Sequence, residues 1–318
     1  MSSEKERAAA GVLSSFVADS LALGAHWVYD SSVIADKIGK VEKLLKPTLN
    51  TYHATKEAGD FTHYGDLTLL LLKHLKQHKS FNQSEFIKEY LQWGETYQGY
   101  QDHAFKESMK NLKEGKLPGS ESTDLSGASR IAPLVYVFRD DLKSLVSTSR
   151  EQTEVSHGGK LVVQSAELFA RAAFDILHTN TLPSEALKKA ADVIGDAEVI
   201  EKVQQGLAGA ASPDSTDEGF VVSTGEIKVY GTQTVATGKS CNVVSALPSA
   251  IYFIAKYEKK GPAALKEALV SEIGVGGDSA ARGMVIGLLL GLYFGMAAVP
   301  TDLLSCLREK ATIEAFLQ

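Results

Sequence analysis

Cysteine is nearly absent: Cys241 and Cys306 are the only two in 318 residues. Two thiols cannot staple a disulfide-framed secreted scaffold, so a packed core has to hold the fold. Proline is scarce as well, 8 residues against 27 glycines, which favours uninterrupted helices ending in glycine turns. Positive charge is not in excess. Lys and Arg number 33 and Asp and Glu 39, a net charge of −6 with a pI near 5.8, so a dedicated nucleic-acid partner is excluded. Low-complexity tracts, tandem repeats and flexible linkers are missing too. Met1 to Arg7 mixes both signs and carries no small-residue cleavage pattern, so a cytoplasmic location is expected. One uncharged run, Gly283 to Val299, lies at the short limit of the roughly 17–25 residues that cross a bilayer. Arg282 bounds it on one side and Pro300 and Asp302 on the other. A buried core helix is expected there, and no membrane partner.

What is present is ordinary for a globular chain, with 44 % hydrophobic and 23 % charged residues, so disorder is excluded as the main state. The length admits one large domain or two smaller ones, because single cores stop growing at about 250–300 residues. Helical periodicity dominates. Ala8, Val12, Phe16, Asp19 and Leu23 fall on one face of a first helix, which places an acid on an apolar side. Further helices are predicted from Leu67 to Leu75, around Phe86, Tyr90 and Trp93 with Asn82 or Ser84 as cap, and from Leu161 to Leu177. Others run from Ser184 to Gly195, Ala197 to Leu207, Val243 to Tyr257, Ala263 to Val270, Ser279 to Ala298 and Thr301 to Phe316. Phe220 to Val222 and Glu226 to Tyr230 give the only strand signal, consistent with a small hairpin turning at Thr224-Gly225 or with an ordered loop. Gly283, Gly287, Gly291 and Gly295 recur every four residues and form a smooth ridge, suited to a closely packed second helix.

Several chemistries fail on spacing. Gly238-Lys239-Ser240 lacks the earlier glycine of a phosphate loop, since Gln233 stands there, and Gly274-Val275-Gly276 meets Ser279 where a dinucleotide fingerprint needs glycine. Neither a nucleophile elbow nor a His-Glu-x-x-His occurs. His74 and His78 are four apart on a lysine-flanked helix with no carboxylate on that face, so they are read as solvated rather than metal ligands. Cys241 has no assignable base and is read as structural.

Acids in unusual places remain. Asp278 follows Gly276-Gly277 and opens the long apolar helix, and Asp66 follows Gly65 in the same way. Each could cap its helix and complement the dipole, or hold Mg²⁺ where glycine lets a ligand approach. Asp19 sits within an apolar helix face. His157 could contact a substrate or hydrogen-bond locally, and Arg130 could pair with a core acid or bind a phosphate. Trp27 and Tyr29 could line a cleft or belong to the core.

Gly276-Gly277-Asp278-Ser279-Ala280-Ala281, with the glycine spacing and Pro300 beyond it, resembles the C-terminal motif of the ADP-ribosylglycohydrolases. Ala18-Asp19-Ser20-Leu21-Ala22-Leu23-Gly24, Tyr64-Gly65-Asp66, Arg130-Ile131-Ala132-Pro133-Leu134, Ser156-His157 and Val244 to Tyr252 resemble further motifs of that family in the same order. The resemblance implies a single all-α domain over 1–318 with a cleft for an ADP-ribose-like ligand and, in active members, two Mg²⁺ ions. It implies Asp66 and Asp278 as metal ligands and Gly65, Arg130, His157, Gly276 and Gly277 as substrate-binding residues. Asp19, His26 and Asp30 are the catalytic candidates.

The departures count as much. Ala280 and Ala281 stand where the family has Asp and Thr, Gly65 replaces the first Asp of the N-terminal metal motif, and His26 falls where an acid is expected. A two-ion site needs several carboxylates, so at most one Mg²⁺ is expected, and none is an open alternative. Ser15 to Asp30, His63 to Asp66, Ser240 to Val243 and Gly277 to Met284 are similar to the J-type lens crystallins of jellyfish, a subgroup of that family. The expectation is a structural eye-lens protein with weakened or lost hydrolase activity. The alternative is a Mg²⁺-dependent hydrolase of N- or O-glycosidic ADP-ribose linkages. Self-association stays open.

Overall fold

The first helix, Glu4–Ala22, starts in a capping box: Ser3 Oγ accepts from the Glu6 amide, and Glu6 Oε2 accepts from the Ser3 amide. From Ala10 to Ala22 every residue is buried, so this helix is central and not amphipathic. Its companion is the glycine helix, Ser279–Phe294, buried throughout from Ser279 to Leu292. The computed structural model describes residues 2–230 and 233–318.

The glycine ridge is where these two helices touch, running antiparallel. A Cβ added to Gly287 would lie 2.5 Å from the Ser14 carbonyl, and one on Gly291 would lie 2.9 Å from that of Ala10. A Cβ on Gly283 would meet Ala18 Cβ at 3.6 Å. Two of the four predicted ridge glycines, Gly287 and Gly291, therefore admit a backbone, while the nearest atom to a Cβ on Gly283 would be Glu272 Oε1 at 3.1 Å. Gly295 differs again, because it ends the helix at φ +71°, a left-handed position that glycine adopts without strain. Arg7 fastens the far end of the pair, donating from Nε to the Leu292 carbonyl at 2.8 Å and from Nη2 to that of Ile176 at 2.9 Å. The stretch Ser279–Ala298 is long and apolar enough to cross a membrane, and 78 % of its most apolar window is buried inside the protein. That is the expected core helix.

Around this pair pack Lys160–Thr179, whose Ala166, Ala170 and Ala173 are fully buried, and Val243–Tyr257, which lies against Ala197–Ala211. Buried apolar residues form one contiguous core from Ala8 to Phe316. The all-α expectation holds, with a single two-stranded antiparallel hairpin among the described residues. Its strands are Ile227–Tyr230 and Gln233–Ala236, with Ile227 opposite Ala236.

Three sequence expectations need correction. Phe220 to Val222 is not a strand: it belongs to the helix Asp217–Ser223, which Thr216 Oγ1 caps by accepting from the Gly219 amide. A cap outweighs the strand propensity of Val221 and Val222. Thr301 to Phe316 is two short helices, Thr301–Leu304 and Lys310–Phe316, because the Arg308 amide leaves the helical ladder for the Gly59 carbonyl. His74 is not solvated but buried. The carboxylate that its own face lacks comes from the next helix, where Glu89 meets His74 Nδ1 at 2.9 Å and His78 Nε2 at 2.8 Å.

The ridge predicts opposite outcomes for two Gly→Ala changes. Gly274 has nothing within 4 Å, so Gly274→Ala should stabilise by up to about 1 kcal/mol through helix propensity. Gly287→Ala should instead destabilise by about 1–3 kcal/mol, since the added methyl meets backbone. Denaturant unfolding of both variants reads the difference, and equal effects would sink the close-packing account.

Candidate functional site

The ridge brings the end of the first helix beside the start of the glycine helix, and the loop between Val275 and Ser279 is fixed there. Gly276 and Gly277 take φ of +84° and +77°. The Gly277 carbonyl accepts from the Trp27 amide at 2.8 Å, and its amide donates to the Val28 carbonyl at 2.8 Å. These bonds hold Trp27 itself at φ +62°. The Asp278 amide donates to the Lys239 carbonyl at 2.9 Å. A Cβ on Gly277 would lie 2.0 Å from that same carbonyl, so what these glycines admit is neighbouring backbone.

Asp278 does not cap its helix. Its carboxylate is fully buried, neither oxygen has a hydrogen-bond partner, and the nearest base is His26, with Nδ1 3.5 Å from Oδ1. Asp124 and Cys241 complete the group, each with a ligand-capable atom within 4.8 Å of the others. Asp124 is held in place by the Ser126 amide at 3.0 Å and the Tyr64 hydroxyl at 3.3 Å. Burial pushes Asp124 up to about 6, and burial followed by the charge of Asp124 raises Asp278 well above the carboxylate range. Burial, then Asp124 and Asp278, raises the Cys241 thiol as well. Arg282 counters the acids. It lies buried with Nε 3.1 Å from Glu272 Oε2, and its Nη2 donates to the Gly276 carbonyl at 2.7 Å. Burial raises Glu272 too, against the pull of that guanidinium.

Asp66 lies in a different setting. Thr62 caps the helix His63–His78, so Asp66 is inside its first turn and does not open it. Its Oδ2 accepts from Lys56 Nζ and from the Tyr97 hydroxyl, both at 2.5 Å. Burial raises Asp66, and Lys56 opposes that. These residues line a cavity of about 390 Å³ with Asp60, Lys73 and Trp93. Among the described residues Asp66 joins no three-ligand cluster. Asp19 acts as a clasp: its carboxylate accepts from the Thr62 amide at 2.9 Å and from Thr62 Oγ1 at 2.5 Å. Burial still pushes it up to about 6. A Cβ on Gly65 would lie 2.3 Å from Asp19 Oδ2, so the missing acid at 65 has no room while Asp19 is clasped. Asp30 is exposed and caps the helix Ser31–Lys37 through the Ser32 amide at 2.9 Å.

Two histidine groups flank the buried acids. His53 Nε2 meets His63 Nδ1 at 3.2 Å, and His63 Nε2 meets Asp102 Oδ2 at 3.1 Å. The His26 ring stands 5.5 Å from that of His53, with His26 Nε2 and His53 Nδ1 both unpartnered. Burial holds His26 well below the usual histidine value and His53 at about 3. Arg130 and His157 do meet, as a shared site requires: Arg130 Nη2 is 3.4 Å from His157 Nδ1, and both contact Ser156. Burial, then the Arg130 charge, brings His157 down to about 3.

Asp124, Lys56, Tyr97, His53 and Asp102 were invisible to motif reading. Lys56 and Tyr97 stand 10 and 31 residues from Asp66, and no local pattern marks them. Asp124 carried a weak signal only, as an acid between Thr123 and an apolar Leu125 in a polar loop.

The model of the ADP-ribosylglycohydrolase family matches residues 1–318, and the chain belongs to that family. Crystallin J1A of Tripedalia cystophora is 27 % identical over 185 residues, 52 % of this chain and 57 % of that protein. Crystallin J1B of the same organism is 33 % identical over 93 residues, 28 % of this chain and 29 % of that protein. The alignments thus span little more than half of the first relative and under a third of the second. A solved ADP-ribosylglycohydrolase-related protein complex shares the fold, with a TM-score of 0.71 at 20 % identity over 100 % of this chain and 97 % of the other. The family is typically metal-dependent, and the unpaired Asp278 carboxylate beside Asp124 and Cys241 offers donors that fit a divalent cation.

His157 sets a pH test. Its folded value near 3 lies below the unfolded value of about 6.5, so only the unfolded chain binds its proton between those limits. Stability due to this group is therefore present above about pH 6.5 and is lost as pH falls toward 3. Relative to His157→Asn, the natural protein should lose about 1.4 kcal/mol per pH unit between pH 6 and 4. Denaturation curves of both proteins across that range check it, and parallel curves would refute it.

Proposed function

We propose that this member of the ADP-ribosylglycohydrolase family is a soluble structural protein of the crystallin kind, its hydrolase chemistry weakened or lost. The observation that carries the reading is the ion pair at Asp66. An ammonium, Lys56 Nζ, sits 2.5 Å from the carboxylate that the family resemblance assigns to a metal, and Tyr97 donates to the same oxygen. The protein thus supplies its own cation at that position. Gly65 and Ala280 remove two further carboxylates, and a two-ion site needs several to balance and bridge its charge. A Mg²⁺ requirement, if any remains, is limited to one ion.

Similarity to the J1 crystallins supports the structural role, and the charge of −6 suits concentrated solution, where net repulsion opposes association. The cytoplasm of lens cells is the location that goes with this role. One observation favours the second reading, a metal-dependent hydrolase of ADP-ribose linkages: Asp278 remains unpaired and buried. In that case Arg130 and His157, joined through Ser156, are the groups placed to receive an ADP-ribose-like ligand.

Purified protein should release ADP-ribose poorly from modified arginine, serine or O-acetyl substrates. Robust turnover that disappears in Asp278→Ala would overturn the structural reading. Lys56→Met should destabilise by about 1–3 kcal/mol, by leaving the half-buried Asp66 carboxylate without its counter-ion and with Tyr97 alone. Mg²⁺ should raise the melting temperature of that variant and leave the natural protein unchanged. A natural protein that responds as strongly would show that Lys56 is no substitute for the ion.

A further inference from the structure

Asp124, Cys241 and Asp278 come from three chain segments that backbone hydrogen bonds tie together. The Leu125 amide donates to the Cys241 carbonyl at 2.9 Å, the Val243 amide to that of Thr123 at 2.8 Å, and the Asp278 amide to that of Lys239 at 2.9 Å. Each segment presents one potential ligand atom, and the three lie within 4.8 Å of one another. Bonds of about 2.0–2.3 Å to a central ion need only modest closing of that triangle.

We propose that Asp124, Cys241 and Asp278 bind one borderline-soft divalent ion of the Zn²⁺ class, with the Cys241 sulfur as a ligand. Two observations point to an ion rather than a cluster of acids at rest. Neither oxygen of Asp278 accepts a regular hydrogen bond although the side chain is fully buried, its nearest base being His26 Nδ1 at 3.5 Å, and buried carboxylates are ordinarily paired or metal-bound. The third donor is a sulfur, which Mg²⁺ disfavours and Zn²⁺ accepts. His26 Nδ1, 3.5 Å from Asp278 Oδ1, already accepts from the Ala280 amide at 3.3 Å, so the fourth position of the ion is left to a water, as in open three-ligand sites. Two carboxylates and a thiolate carry three negative charges, of which the 2+ ion meets two; the nearby Arg282 guanidinium is already paired with Glu272. Binding displaces the thiol proton, and any proton on the carboxyls, to solvent. Cys241 is half-buried, which leaves a way in.

A second histidine-containing cluster, His74, His78 and Glu89, is equally compact. There the donors satisfy one another, Glu89 engaging both rings while His74 Nε2 accepts from the Asn82 amide at 3.4 Å, so no atom is left waiting for an ion. The proposal stands whether or not the chain hydrolyses anything, because its readout is a spectrum and not turnover.

The test uses the full chain, stripped by a chelator and titrated with Co²⁺ as a spectroscopic stand-in for Zn²⁺. A thiolate-to-Co²⁺ charge-transfer band should grow to one equivalent, with proton release, and Zn²⁺ should abolish it. Cys241→Ser should lose the band and weaken Zn²⁺ binding at least tenfold. Cys306→Ser and His78→Ala should retain both. Cys241→Ala, matched to the natural protein by its metal-free melting curve, guards against misfolding as the cause. Absence of Zn²⁺ binding, a preference for Mg²⁺, or a band that survives Cys241→Ser would each overturn the proposal.

Discussion

The backbone contact between the first helix and the glycine helix underlies the placement of Asp19, His26 and Asp278 at one end of the pair. Glycines at 287 and 291 bring their helix onto the backbone of Ser14 and Ala10. Close approach of this kind leaves no side chains between the axes to absorb error. Register and separation are fixed together, so residues beyond each end inherit their geometry. Asp19 and His26 lie at one end of the pair, and Asp278, at the start of the other helix, stands 3.5 Å from His26 Nδ1. The Trp27–Gly277 bonds continue the same alignment past the helix ends.

Burial of charge is the price of that closeness. Asp19, Glu272, Asp278 and Arg282 have no exposure and Asp124 little, within a predominantly apolar core. The chain answers this cost differently at each position. Thr62 donates twice to Asp19, and Arg282 faces Glu272 as an ion pair. Lys56 and Tyr97 share the Asp66 carboxylate near a cavity wall. Asp278 alone of these acids accepts no hydrogen bond at either oxygen, with His26 Nδ1 3.5 Å away. Uncompensated groups of this kind are rare in native cores, and a fold that tolerates one commonly gives it work.

Helix positions were largely legible from periodicity, because apolar spacing survives in any single sequence. The periodicity places Val243 to Tyr257 to the residue, and of the two cap candidates, Asn82 and Ser84, Asn82 is the one that caps. Polar helices such as His103–Lys113 and Leu142–Glu154 escaped, since their apolar residues are too sparse to set a period. The site was legible only in part. Asp19, Arg130, His157 and Asp278 carried motif signals, and the structure gives each a buried polar setting. Their partners could not be read, because Asp124 meets Asp278 across 154 residues of chain and Glu89 meets His74 from a separate helix. Contacts formed by packing leave no trace at short sequence spacing.

The central pairing also has a consequence in time. The first helix leaves the ribosome early, but the surface that covers it is encoded more than 250 residues later. At about 5–20 residues per second it waits on the order of 10–50 s with an apolar face exposed on every side. Ala, Ser and Gly interspersed along Ala8 to Ala22 keep that face less adhesive than a leucine-rich one would be. The same small side chains that let two backbones touch in the finished protein thus also protect the unfinished chain from its neighbours during synthesis.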